Sequence, residues 1–467
     1  MAAMIEIENL SVYAGEECLV DTLSLQLSEG EHLTILGETG AGKSILAQAV
    51  MGLLPDGLQR QGRIRVAGRD LATLSEQELH ELWGRTLTML PQEPWHSLDP
   101  LMRSRQQVAE VYECVLDEDR ELARRHAQRD LAAVSLAEDG EKLPGQLSGG
   151  MAQRLAYCAA TAAGARIILA DEPTKGLDAS RRDYIAGLLR EQSRDGAVLT
   201  ITHDIDVARQ LGGRIIVMRN GQVIETGGAE ELLEAAQADY TRQLMAASPL
   251  QWPDRSDRAQ AGTGQTEPLL RGRRLAKVRG GKRLFHELDL DVRPGEIIGI
   301  TGDSGCGKST LGDILLGLLA PDEGSVTRDE RLPRHRFLKL YQDPPAAFAP
   351  GVSLGELLHD VMRLHAVDPA RLEPLMQKMR LHRELLARPA EQVSGGELQR
   401  LAIVRAMLLD PVLLFADEPV SRLDPITARD IIFLLTEVAR EQGCAVLLVS
   451  HDPVLVEKTC HRTVRLS

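Results

Sequence analysis

The apolar positions of this chain fall into two kinds of run. Short unbroken runs include "HLTIL" (32–36), "RIILA" (166–170), "IIGIT" (297–301) and "VLLFA" (412–416). Runs of this length without alternation predict strands covered on both faces, as in a parallel sheet between helices. Other apolar residues recur at helical spacing, as in "KSILAQAVMGLL" (43–54) and "KSTLGDILLGLL" (308–319), each following a glycine-rich loop. From about 95 to 165 the pattern is more helical and more polar. Alternating strands and helices predict an α/β class with an inserted helical subdomain. No run reaches the ~18 apolar residues that a membrane-spanning helix needs. The start, "MAAMIEIENLSVY", lacks the basic segment and apolar core of a secretory signal. Any membrane association is therefore expected to come through partners.

The pattern occurs twice. "GETGAGKS" (37–44) matches "GDSGCGKS" (302–309), and "PQEPWHSLDP" (91–100) matches "YQDPPAAFAP" (341–350). "QLSGGMAQR" (146–154) matches "QVSGGELQR" (392–400), "ILADEP" (168–173) matches "LFADEP" (414–419), and "LTITHD" (199–204) matches "LLVSHD" (447–452). The order is the same in both halves. The offset falls from 265 (43 to 308) to 250 (92 to 342) and then to 246 (171 to 417), so the second half is shorter between its first two motifs. A duplicated domain accounts for this better than a solenoid. The expected division is a first domain over 1–247, a flexible linker over 248–268 and a second domain over 269–467. The helical subdomains are expected at about 93–165 and 343–411. The linker reading rests on the Pro, Gly, Gln, Ser and charged residues of "SPLQWPDRSDRAQAGTGQTEP".

Composition narrows the class further. The chain has 467 residues, too many for one ordinary core, and its apolar fraction of 43% is enough to fill two. The net charge of −14 argues against a broad nucleic-acid surface, and no nucleic acid is expected as a partner. The six cysteines stand apart at 18, 114, 158, 306, 444 and 460, and no pair has the spacing of a metal or redox motif.

Both glycine loops fit G-x-x-x-x-G-K-[ST], in which the backbone wraps phosphate oxygens and the following helix adds positive charge. The nucleotide-binding residues read from them are Gly37, Glu38, Thr39, Gly40, Ala41, Gly42, Lys43 and Ser44, and then Gly302, Asp303, Ser304, Gly305, Cys306, Gly307, Lys308, Ser309 and Thr310. Lys43 and Lys308 are expected at the β- and γ-phosphates, and Ser44 and Ser309 at Mg²⁺. One such match by chance has a probability of about 1–2% in a chain of this length. Two matches, each between a strand and a helix, exclude a plain glycine turn. Each "ADEP" follows a buried strand. Asp171 and Asp417 are expected to hold Mg²⁺, and Glu172 and Glu418 to take a proton from attacking water. His203 and His451 each follow a further strand and are expected to contact the γ-phosphate and orient that water. Ser148 and Ser394 stand as helix N-caps, with Gly149, Gly150, Gly395 and Gly396 keeping the helix start clear of side chains.

The ordered set of phosphate loop, glutamine loop, Ser-Gly-Gly signature, "ADEP" and "HD" resembles the ATP-binding-cassette (ABC) ATPases over nearly the whole chain. The resemblance implies two cassettes, each with a mostly parallel core, an antiparallel β part and a helical subdomain, paired head to tail. ATP on one phosphate loop would be completed by the signature of the other cassette. It implies that Gln92 and Gln342 reach Mg²⁺ and that Asp178 and Asp424 meet the opposite cassette. Tyr13 would stack on adenine, a position for which the second half offers only Val278 and Arg279. The segments after Gln92 and Gln342 would receive membrane subunits. The stretches "QEPWHSLDP", "QDPPAAFAP" and "DYTRQLMAASP" (239–249) look like those of the dipeptide, oligopeptide and nickel importer branch, here with both ATPase subunits fused. The implied function is hydrolysis of ATP, with ATP and Mg²⁺ as cofactors, to energise uptake of a peptide, nickel ion or metal chelate. The implied partners are two integral membrane permease subunits and a solute-binding protein, with the chain peripheral on the cytoplasmic face of the inner membrane. The competing expectation is a soluble tandem ATPase, either a ribosome-acting factor or part of a phosphonate-degrading complex. A DNA-repair ATPase is disfavoured because no long coiled coil separates the motifs.

Overall fold

The structure is a computed structural model. It describes residues 3–254 and 267–466, except Thr39, Glu93, Gly176, Asp178, Ser304 and Arg422. The chain divides into two compact units, 1–246 and 247–467.

The first unit begins with β1 (Ala3–Ala14), β2 (Glu17–Ser28), β3 (His32–Leu36), α1 (Lys43–Met51), β4 (Leu58–Val66), β5 (Arg69–Asp70), α2 (Glu76–Leu82) and β6 (Leu87–Leu90). The helical insertion follows as α3 (Ser104–Leu116), α4 (Arg120–Ala133) and α5 (Gly149–Thr161). The unit closes with β7 (Ile167–Asp171), α6 (Ala179–Asp195), β8 (Ala197–Thr202), α7 (Ile205–Leu211), β9 (Arg214–Arg219), β10 (Gln222–Gly228), α8 (Ala229–Ala235) and α9 (Asp239–Ala247). The strands form two sheets, an antiparallel one ordered β2-β1-β4-β5 and a larger one ordered β10-β9-β3-β8-β7-β6. All neighbours in the larger sheet are parallel except β10 and β9. Strands β3, β7 and β8 are buried at every position, which is why their sequences show no alternation. One face of the sheet packs with β1, β2 and α1, and the other with the insertion and α6.

The second unit comprises β11 (Leu270–Arg279), β12 (Lys282–Val292), β13 (Ile297–Thr301), α10 (Lys308–Leu316), β14 (Glu323–Arg328) and β15 (Phe337–Leu340). Next come α11 (Leu354–Leu364), α12 (Leu372–Lys378), α13 (Gly395–Met407), β16 (Leu413–Asp417), α14 (Pro425–Gln442), β17 (Ala445–Val449), α15 (Pro453–Thr459) and β18 (Arg462–Arg465). Its sheets are ordered β12-β11-β14 and β15-β16-β17-β13-β18, the second entirely parallel. Among the described residues nothing in this unit corresponds to β5 and α2, which accounts for the shortening between its first two motifs. No helix among the described residues is long and apolar enough to cross a membrane.

The first residues of the expected linker pack with the second unit. Pro249–Gln251 form a single turn, and Trp252 is buried beside Phe433 of α14, ring centroids 5.0 Å apart. Asp254 pairs with Lys458 of α15 at 2.7 Å. One indole can anchor a stretch whose polar composition reads as loop, because it buries so much apolar area. Residues 255–266 lie outside the described residues.

His32 opens β3, buried, with Nε2 2.9 Å from Thr200 Oγ1. Burial, helped by the Arg190 charge, lowers its pKa from 6.5 to about 4. The unfolded chain therefore binds a proton below pH 6.5 that the folded chain refuses until about 4. This contribution to stability is full above that window and is lost as pH falls through it. Ile297 opens β13, the corresponding strand. Moving from pH 7.5 to 5.5 should cost the native protein about 1.3 kcal/mol more than the His32→Ile variant. Urea unfolding at the two pH values measures the difference, and parallel losses would refute it.

Candidate functional site

Each phosphate loop runs from a buried central strand into a helix whose first residue is the loop lysine. Gly42 has φ +88°, and a Cβ there would lie 2.4 Å from the Leu19 carbonyl oxygen. At Gly307 φ is +104° and a Cβ would lie 2.9 Å from that of Leu284. Only glycine suits both the left-handed backbone and the close approach. Lys43 Nζ donates to the carbonyls of Gly37 and Glu38, both at 2.8 Å. Lys308 Nζ does the same to Gly302 at 2.8 Å and Asp303 at 3.1 Å. Burial lowers the Lys43 pKa, while the charges of Glu172, Asp171 and Glu38 oppose the shift. Thr39 and Ser304 lie outside the described residues.

Asp171 and Asp417 are the last residues of β7 and β16, which brings them to the loop serines: Ser44 bonds Asp171 and Ser309 bonds Asp417. Burial raises both carboxyl pKa values, and the serine hydrogen bonds oppose it. Asp171 Oδ1 is buried with no hydrogen-bond partner among the described residues. Hydroxyl and carboxylate oxygens are the donors a hard divalent cation takes, so Ser44 with Asp171 and Ser309 with Asp417 fit Mg²⁺.

Glu172 and Glu418, one residue on, have φ of +47° and +48°. Such a backbone costs a non-glycine residue of order 1–3 kcal/mol, and its appearance at the same place in both halves ties the strain to the site. Glu172 is held by its N–H to Ile201 O at 2.8 Å, by His203 Nδ1 at 2.7 Å from Oε1, and by Thr202 Oγ1, which donates to Oε2 at 3.3 Å. Burial alone would raise the Glu172 pKa, but His203, Lys43 and Lys175 outweigh it and the net shift is downward. Glu418 Oε1 lies 2.7 Å from His451 Nε2, and its Oε2 accepts from Gln342 Nε2 at 2.7 Å. The histidines, expected at the γ-phosphate, and Gln342, expected at Mg²⁺, are in this structure bonded to the carboxylates. Gln92 follows β6 as Gln342 follows β15. Asp204 and Asp452, the second letters of "HD", cap α7 and α15.

Ser148 and Ser394 cap α5 and α13, accepting from Met151 N and Glu397 N at 3.4 Å. The Ser394 backbone N–H donates in return to Glu397 Oε2 at 3.3 Å, closing a capping box that Met151 cannot make. A Cβ on Gly149 or Gly395 would meet nothing within 4 Å, as expected for an open approach. Gly150 differs: a Cβ there would strike Arg181 of α6 at 2.4 Å, so this glycine also serves helix packing. Asp424 caps α14, accepting from Thr427 N at 2.9 Å, and Asp178 lies outside the described residues. Tyr13 pairs with Cys18 across the β1–β2 hairpin, and Val278 pairs with Arg283 in the matching hairpin. Val278, not Arg279, therefore stands where Tyr13 does.

Motif reading passed over Tyr240 of α9. It is buried, its hydroxyl accepts from the Glu38 N–H at 3.3 Å, and its ring stacks on Arg219 at 4.7 Å. The last segment of the first unit thus braces the first phosphate loop. The only signal for it was the likeness of "DYTRQLMAASP" to importer subunits.

Comparison with known proteins agrees with this geometry. The ABC transporter family matches residues 20–175 and 285–421. The glutathione import ATP-binding protein GsiA of Escherichia coli strain K12 is 33% identical, over 98% of this chain and 84% of that one. The peptidoglycan transport ATP-binding protein YejF of Agrobacterium fabrum is 32% identical, over 93% and 84%. Among solved structures, an RNase-L inhibitor superposes with a TM-score of 0.71 at 22% identity, over 98% and 87%, a likeness of fold. With both cassette regions matched and the relatives aligned through nearly the whole chain, this protein belongs to the ABC transporter family as an ATP-binding subunit that hydrolyses ATP to energise uptake.

Proposed function

We propose that this chain drives an importer for short peptides or peptide-like solutes, and that it closes two ATP sites, each from one half's phosphate loop and the other half's signature. The observation that carries the reading is the alignment with import ATP-binding proteins through both halves, combined with a full set of site residues in each. The loop N–H groups and Lys43 or Lys308 bind the phosphates. Ser44 with Asp171, and Ser309 with Asp417, would hold Mg²⁺, which would supply positive charge against the phosphates. Glu172 and Glu418 accept the proton of the water that attacks the γ-phosphorus as ADP leaves, and His203 and His451 hold those carboxylates in position. A carboxylate kept below its ordinary pKa is ready to accept at neutral pH, as the direction at Glu172 supports. ATP binding at Ser148 and Ser394 draws the cassettes together, and hydrolysis releases them.

The partners are two integral membrane subunits, with a solute-binding protein that selects the cargo, and the chain sits on the cytoplasmic face of the membrane. Purification of the tagged full chain from solubilised membranes of its source cells tests this. Two membrane subunits should co-purify, and the associated binding protein should retain a peptide-class ligand. Recovery of ribosomes or soluble metabolic enzymes in their place would overturn the importer reading.

A further inference from the structure

The two sites differ beneath the cation-holding aspartates. In the second unit Lys339 of β15 is enclosed, its side chain 8% exposed, with Nζ 2.7 Å from Asp313 Oδ1 and 3.6 Å from Asp417 Oδ2. The ammonium also lies 5.3 Å from the Tyr341 ring centre and 5.8 Å from that of Phe415. Strand register identifies the counterparts: Lys339 pairs with Phe415 where Met89 pairs with Leu169. Asp313 and Gly312 occupy the places in α10 that Gln48 and Ala47 occupy in α1. The four replacements belong together. A Cβ on Gly312 would lie 2.4 Å from the Phe415 ring, so the glycine admits the aromatic that lines the ammonium's pocket, and Asp313 balances the charge. A buried ammonium needs such partners. In the first unit Asp171 faces Ser44; the charges of Lys43 and Lys175 reach it, but among the described residues no ammonium stands at ion-pair distance from it, and its Oδ1 is unpartnered.

We propose that Lys339 makes the two nucleotide sites unequal in their demand for divalent cation, by pairing an ammonium directly with one oxygen of Asp417, a contact that Asp171 does not have among the described residues. The inference rests on the reading of Asp417 and Asp171 as the cation-holding carboxylates. A cation arriving at Asp417 meets a carboxylate already shared with an ammonium, and it is repelled by that charge. Between unit charges at this separation the Coulomb term exceeds a hundredfold in an equilibrium constant even at an effective dielectric of about 20, and Asp313 cancels part of it. The expected net difference is roughly tenfold. Lys339 acts through Asp417 and is a positioning residue.

The test uses the full chain, with Mn²⁺ binding in the presence of ATP read by electron paramagnetic resonance. In a Lys43→Ala, Glu418→Gln background the signal reports the second site without turnover. Adding Asp313→Gln with Lys339→Met installs the first site's pair, and the half-saturating Mn²⁺ concentration should fall roughly tenfold. The reciprocal pair, Gln48→Asp with Met89→Lys in a Lys308→Ala, Glu172→Gln chain, should raise that of the first site. Lys339→Gln, which keeps a polar group beside Asp313, provides a second variant should the Met pair melt early, and it too should bind Mn²⁺ more tightly. An unchanged or higher midpoint in the folded second-site variants overturns the role of Lys339 while leaving the site itself intact. Failure of the unswapped background to bind Mn²⁺ with ATP at all would overturn both this inference and the reading of Asp417.

Discussion

Replacing Glu172 or Glu418 by Gln, one at a time, should lower the hydrolysis rate at the altered site by about 10²–10⁴-fold, some 3–5 kcal/mol in the barrier, while ATP still binds. The amide is nearly isosteric and can retain a hydrogen bond to the neighbouring histidine at 2.7 Å. It cannot accept the water's proton. The strained backbone at φ +47° and +48° is common to both sites, so the fold should tolerate the change equally in each half. Rapid-quench single-turnover measurements with labelled ATP would separate chemistry from binding. Unaltered chemistry in either single variant would show that its glutamate is not the base at that site.

The second large effect is an all-or-none crosslink. Cys306 lies in the second phosphate loop, partly exposed, where the first loop carries Ala41. If each signature completes the opposite loop, Ser148→Cys should be joined to Cys306 by a short bis-maleimide when ATP is bound to a chain carrying Glu172→Gln and Glu418→Gln. Substituting Cys306→Ala should abolish the product, and peptide mass spectrometry would identify the joined peptides. Loss of the Ser148 cap should cost about 1 kcal/mol of local helix stability, small enough for the chain to stay folded. A crosslink from position 148 to the first loop would sink the head-to-tail arrangement. In such an arrangement the tether between the halves would present each signature to its loop at high effective concentration.

The duplicated α/β plan was legible because its causes are local. Central strands of a parallel sheet are apolar on both faces, and a loop that wraps phosphate must place glycine where φ is positive, as at Gly42 and Gly307. Such constraints write themselves into a few consecutive residues, and they recur in both halves in the same order. The packing of Trp252 was not legible, for the converse reason. Trp252 is one residue in a polar stretch, and its burial beside Phe433, 181 positions later (252 to 433), leaves no periodic trace.

Within the site, the sequence by itself determined which residue types are present and on which element each stands. Lys43, Asp171, Glu172 and His203 could be proposed because the chemistry of a phosphoanhydride restricts the choice and the spacing follows the strands. Only the tertiary structure decided what those groups touch. It showed His203 on Glu172 and Gln342 on Glu418, Val278 in the place of Tyr13, and Tyr240 against the first loop. It also revealed the ammonium of Lys339 beneath Asp417. Each of these joins side chains from strands or helices far apart in the chain. The energy of a hydrogen bond or an ion pair depends on ångström-scale distance and on burial, and both arise only when the sheets and helices pack.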